Sequence, residues 1–145
     1  ILSEYIFIKN FRNSNKYLKV EGQNILDNLK KSEEPVVFIS GHFNNFELMA
    51  MQIEKTGINL GAIYRPLNNV FLNKIMEHIR KKYICKNQIK KGIKGTRELL
   101  QLFKKKYSIA LMIDQRVSEG ILSNLFGEPS LSILISSIPL ILLLI

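Results

Sequence analysis

The sequence predicts an α/β layer fold with a largely parallel central sheet flanked by helices. Two observations carry this. Three short apolar runs, PVVFISG from Pro35, INLGAIYR (58–65) and SIALMID (108–114), read as buried strands bounded by turn formers. Between them lie segments with apolar residues at helical spacing, and strand alternating with helix favours parallel neighbours whose two faces are both covered.

Taken in order, residues 17–32 carry Leu18, Ile25, Leu26 and Leu29 at a loose helical spacing. After the first strand, Asn44 or Asn45 is expected to cap a helix bearing Phe46, Leu48, Met49, Met51 and Ile53 and ending near Gly57. Pro66 stops the second strand. Asn68 or Asn69 is expected to cap the next helix, with Phe71, Leu72, Ile75, Met76 and Ile79 on its inner face. Tyr83, Ile84 and Cys85 are read as a short third strand. Residues 92–106 read as a helix starting around Thr96, with three lysines near its end, where they suit the helix dipole. No internal repeat or flexible linker is visible.

A chain of 145 residues has room for one domain and one modest core. With 46% apolar and 23% charged residues it is ordinary globular material. Cys85 is the only cysteine, which excludes an intrachain disulfide and a cysteine-built metal cluster. The net charge of +9 is concentrated: residues 74–106 hold 12 basic side chains against Glu77 and Glu98, a net +10. Such a field attracts anionic partners, although a run of charge is also the ordinary dress of a solvated helix. No run of 18 apolar residues suggests a bilayer span. Residues 131–145 form an atypical apolar tail without a charge, interrupted by Pro139. The chain opens on Ile1 rather than Met, and a fragment of a longer protein is expected.

In α/β folds ligands gather at the carboxyl ends of the strands. His42, Arg65 and Asp114 each fall at or just beyond such an end. His42 and Glu47, within SGHFNNFEL (40–48), form a His-x4-acid pair. Transfer of an acyl group to a hydroxyl needs a base near neutral pKa, and a carboxylate on the other ring nitrogen fixes the tautomer. The pair can meet if His42 precedes the helix and Glu47 lies in its first turn. Spacing alone is weak, since a histidine at a strand end is more often simply hydrogen-bonded. Arg65 suits a phosphate or an oxyanion, and Asp114 would position Arg65 or substrate. Gly41 lets backbone pass close to substrate. Cys85 has no activating motif around it, and His78 sits among charges on a helix and is expected to be solvated.

The fragments SGHFNNFEL (40–48), IYRPLNN (63–69), IKKGIKGTRELL (89–100), MIDQR (112–116) and LFGEPS (125–130) occur in order and with consistent spacing. Together, from about residue 4 to residue 130, they make the chain resemble the bacterial lipid A biosynthesis acyltransferases, also called the late or lauroyl/myristoyl acyltransferases. The resemblance implies a glycerolphosphate-acyltransferase-like fold, here incomplete at both ends, with residues 131–145 a frameshifted or otherwise altered end. It also implies transfer of a fatty acyl chain from acyl carrier protein to a hydroxyl of an anionic lipid A precursor. The catalytic positions would be His42, Glu47, Arg65 and Asp114. Gly41, Asn44, Asn45, Asn68, Lys90, Lys91 and Lys94 are expected to bind substrate. No cofactor or metal is expected. The implied setting is the cytoplasmic face of the inner membrane, with the family's N-terminal membrane helix missing from this chain. The alternatives are an acyltransferase for another phospholipid or glycolipid acceptor, and a non-catalytic basic module binding anionic membrane or nucleic acid. Known nucleic-acid motifs are absent.

Overall fold

Five helices and a parallel sheet make up the protein in its computed structural model, which describes residues 5–16, 18–41, 46–112, 121–125, 128–132 and 140–142. The helices are α1 (Ile8–Asn13), α2 (Gln23–Ser32), α3 (Glu47–Lys55), α4 (Val70–Tyr83) and α5 (Ile93–Lys104). The strands are β1 (Val37–Ser40), β2 (Leu60–Tyr64), β3 (Asn87–Lys90), β4 (Ser108–Met112), β5 (Ile121–Leu125), β6 (Glu128–Ser132) and β7 (Leu140–Leu142). Strands β1 to β4 are all parallel, and β7 joins them in the order β3-β2-β4-β1-β7. Strands β5 and β6 form a separate antiparallel pair. The expected α/β layered architecture is therefore what the chain adopts.

Alternation along the strands builds two cores, because successive side chains point to opposite faces. Val36, Phe38, Leu60, Ala62 and Ala110 face one side, where Met49, Met51 and Ile53 of α3 and Met76 of α4 complete the larger cluster. Val37, Ile39, Ile89 and Ile109 face the other, where Leu99, Leu102 and Phe103 of α5 cover them. Both faces are thus buried, as the near-continuous apolar runs of β1 and β4 require. Ser108 is buried too, and its hydroxyl accepts the Val36 amide at 3.2 Å, which removes the cost of burying it. Helix α1 is fastened by Arg12, whose guanidinium reaches Glu54 at 3.2 Å and the Tyr83 carbonyl at 2.8 Å.

Several elements differ from the sequence reading. Helix α2 starts only at Gln23, because Gly22 holds a left-handed φ of 83° that breaks the helical path before it. Phe46 occupies the N-cap of α3 with no side-chain cap bond, while Asn44 and Asn45 lie outside the described residues. The third strand is Asn87–Lys90, not Tyr83-Ile84-Cys85; Tyr83 still belongs to α4, and Ile84 and Cys85 are buried in the connection. Helix α5 begins three residues before Thr96, whose hydroxyl donates back to the Gly92 carbonyl as an internal helix residue does. Gly95 is needed there: a Cβ on it would stand 1.9 Å from the Lys90 carbonyl oxygen, so α5 presses on the backbone of β3.

Helix α4 shows the largest departure. Asn69 caps it as expected, accepting the Phe71 and Leu72 amides at 3.0 and 3.1 Å. Yet Phe71, Leu72 and Ile75 are exposed, with only Met76 fully buried and Ile79 packed against the core. The inward stripe is instead Asn73, Met76, Glu77, Arg80 and Tyr83, at the i, i+3, i+4, i+7 spacing of one helical face. Polar partners inside the fold, described next, turn the helix this way.

Candidate active site

Strand order sets side by side three strand ends from which the chain runs on to expected site positions. The exits of β2, β4 and β1 are neighbours, so three adjacent strand ends span about 10 Å. Arg65 follows β2 directly and is exposed. The chain leaves β1 through Ser40 and buried Gly41 towards His42, and leaves β4 at Met112 ahead of Asp114. His42, Asn44, Asn45 and Asp114 lie outside the described residues.

Glu47 is the first residue of α3 and is 5% exposed, so its carboxylate must find partners inside the fold. The Arg80 guanidinium supplies two donors to Oε1, Nε at 2.9 Å and Nη2 at 2.5 Å. The Tyr5 hydroxyl donates to Oε2, and Arg80 Nε also lies 3.0 Å from that hydroxyl. The Arg80 guanidinium stands over the rings of Tyr5 and Tyr64 at 6.0 and 5.4 Å. Its Nη1 is buried with no partner among the described residues. Burial acts against the Arg80 charge, but the adjoining Glu47 carboxylate more than offsets it and raises the Arg80 pKa. Burial, and then the same carboxylate, push the Tyr5 hydroxyl above its ordinary value and keep it a donor. Arg80 and Tyr5 were missed in the sequence, standing 33 and 42 positions from Glu47, with no local signal to link them.

A second network lies at the ends of β2 and β3. Glu77 Oε1 accepts from the Tyr64 hydroxyl, from Asn73 Nδ2 at 2.7 Å and from Lys90 Nζ at 3.2 Å. Asn73 Oδ1 in turn accepts the Leu67 amide at 2.9 Å, which pins the segment between β2 and α4 that carries Arg65 and exposed Asn68. Lys90 is thus partly committed to Glu77. Lys91 and Lys94 are exposed and, with Lys90, line a depression at the start of α5.

The Tyr64 hydrogen bond, against an opposing effect of burial, holds the Glu77 carboxyl at about 2, with Asn73 and Lys90 assisting. A pKa depressed in the fold adds stability above the ordinary carboxyl value near 4.5 and loses it as the pH falls towards 2. Urea unfolding followed from pH 5 to pH 2 should therefore show a shallower decline for Glu77→Gln than for the unchanged protein. Superimposable curves would rule out this contribution.

Cys85 is fully buried, and its thiol donates to the Leu60 carbonyl at 3.1 Å. Burial pushes its pKa up to about 12, so it is no nucleophile at neutral pH. His78 is exposed, as expected. No helix among the described residues is long and apolar enough to cross a membrane.

A protein-family model described as bacterial lipid A biosynthesis acyltransferase matches residues 3–142. No curated protein matches the chain.

Proposed function

Since the chain belongs to the bacterial lipid A biosynthesis acyltransferase family, we propose that it moves a fatty acyl chain from acyl carrier protein to a hydroxyl of a lipid A precursor, at the cytoplasmic face of the inner membrane. The observation that carries the reading is Glu47: a buried carboxylate in the first turn of the helix that follows β1, five positions after the only histidine at a strand exit.

In this mechanism His42 takes the proton of the acceptor hydroxyl as its oxygen attacks the donor's thioester carbon. The carbon–sulfur bond then breaks, and His42 returns the proton to the leaving thiolate. Glu47 orients the imidazole and stabilises its protonated form without taking the proton itself. Arg80 supports that division of labour, because its two hydrogen bonds to Oε1 hold the carboxylate in one orientation. Arg65 is assigned to the oxyanion or to an acceptor phosphate, and Asp114 to positioning Arg65 or substrate. Gly41, Asn44, Asn45 and Asn68 are assigned to substrate around the strand ends. Lys90, Lys91 and Lys94 are assigned to anionic groups of the acceptor or the acidic carrier protein.

The test is acyl transfer from lauroyl-loaded acyl carrier protein to a lipid A precursor by the protein. His42→Ala should lower kcat by about 10²–10⁴ while leaving the far-ultraviolet circular dichroism unchanged. Equal rates for the two proteins would eliminate His42 as the base.

A further inference from the structure

The face that α4 turns to solvent has the wrong composition for a merely solvated helix. Phe71 is 82% exposed, Val70 66%, Ile75 56% and Leu72 50%, all within the first two turns. Lys74 lies among them and Lys81 and Lys82 follow in the last turn, all exposed. The helix's one acid, Glu77, is turned inward onto Tyr64, Asn73 and Lys90. The outer face therefore joins large apolar side chains to positive charge with no carboxylate. That pairing suits an interface of acyl chains under anionic headgroups. It does not suit a second copy of the chain, since a two-fold contact would set lysines against lysines.

Position adds to composition. Helix α4 starts six residues after β2 ends, so its apolar turns stand at the carboxyl edge of the sheet. Helix α5 follows β3 at the same edge, and its first turn exposes Ile93 at 76% beside Lys94. We infer that this apolar and basic edge, centred on Phe71 and Ile75, docks the protein on an anionic lipid surface. The strand exits would then lie against the bilayer, so that a lipid-linked acceptor reaches them without leaving it. The inference rests on the lipid acceptor proposed above and gives that acceptor a direction of approach.

Vesicle co-sedimentation of the 145-residue chain tests it, using equal parts phosphatidylglycerol and phosphatidylcholine. The chain should bind these vesicles, bind pure phosphatidylcholine less, and lose binding as salt rises. The double variant Phe71→Ser, Ile75→Ser should keep its circular dichroism and weaken partitioning by about tenfold or more. Unchanged partitioning, or no binding by the unsubstituted chain, would overturn the inference. So would lipid-free dimers that the double variant abolishes, since the occupant would then be a second copy. His42→Ala should bind vesicles normally, and the double variant should still acylate a detergent-dispersed acceptor. An active His42→Ala protein would thus sink the chemistry and leave docking intact, whereas unchanged vesicle binding by the double variant would do the reverse.

Discussion

Replacing Glu47 with Ala should destabilise the protein by about 3–5 kcal/mol, as breaking a buried ion pair from one side does. The Arg80 side chain is 12% exposed and directs Nε and Nη2 at this one carboxylate. Without it, a guanidinium would stay inside the fold with neither countercharge nor water, and the Tyr5 hydroxyl would lose its acceptor. The cost would come mainly from the stranded charge, not from a large net gain of the pair itself. A second substitution separates these: adding Arg80→Met to Glu47→Ala should recover much of the lost stability, because it removes the orphaned ion. The measurement is urea unfolding of each protein at matched m-value. A loss below about 1 kcal/mol for Glu47→Ala would mean that water reaches Arg80 and that the site is far wetter than its burial implies.

Phe38→Ala should be comparably damaging, at about 3–5 kcal/mol, for a different reason. Phe38 is 0% exposed in β1, a strand paired on both sides, where it stands opposite Ala110 of β4 and Ile141 of β7. Ala50, Ala62 and Ala110 belong to the same core cluster, so the ring fills space that small neighbours leave. Parallel pairing on both edges prevents the strand from moving in to close the gap. Since a domain's whole stability is about 5–15 kcal/mol, this change takes a large fraction of it. A thermal or urea midpoint close to that of the unchanged protein would show that the core collapses around the loss.

The sheet was readable because strands buried on both faces are written as apolar runs. VFIS, LGAIY and SIALM are such runs, and each is a strand. The edge strand NQIK was not readable: only Ile89 is buried in it, so it has the composition of a loop. Burial without regular structure caused the opposite error at Ile84 and Cys85. Helix α4 exposes the limit of periodicity. Its most apolar residues, Val70, Phe71, Leu72 and Ile75, face solvent, and the inward face is chosen by Glu77 and Arg80, which have partners on β2 and α3 and at Tyr5. Those partners are distant in sequence, so no local pattern reveals them. Of the candidate site, the place of Arg65 just after β2 and of Glu47 at the start of α3 were legible, whereas the pair that grips the Glu47 carboxylate was not.

The place of β1 between β4 and β7 governs how the protein can be made. Its nearest sheet partner is far along the chain, with Val36 bonded to a serine 72 residues later. At ribosomal rates of 5–20 residues per second, the β1 segment waits about 4–14 s before that partner has been synthesised. During that time Val37, Phe38 and Ile39 form an unpaired, β-prone and uncharged stretch, the kind on which nascent chains associate wrongly. Non-local parallel pairing also slows the folding step itself, because the long loop must close before its contacts form. The strand that leads into His42 is thus the one most dependent on chaperones or on dilute synthesis, and yield in cells will track how fast β4 arrives.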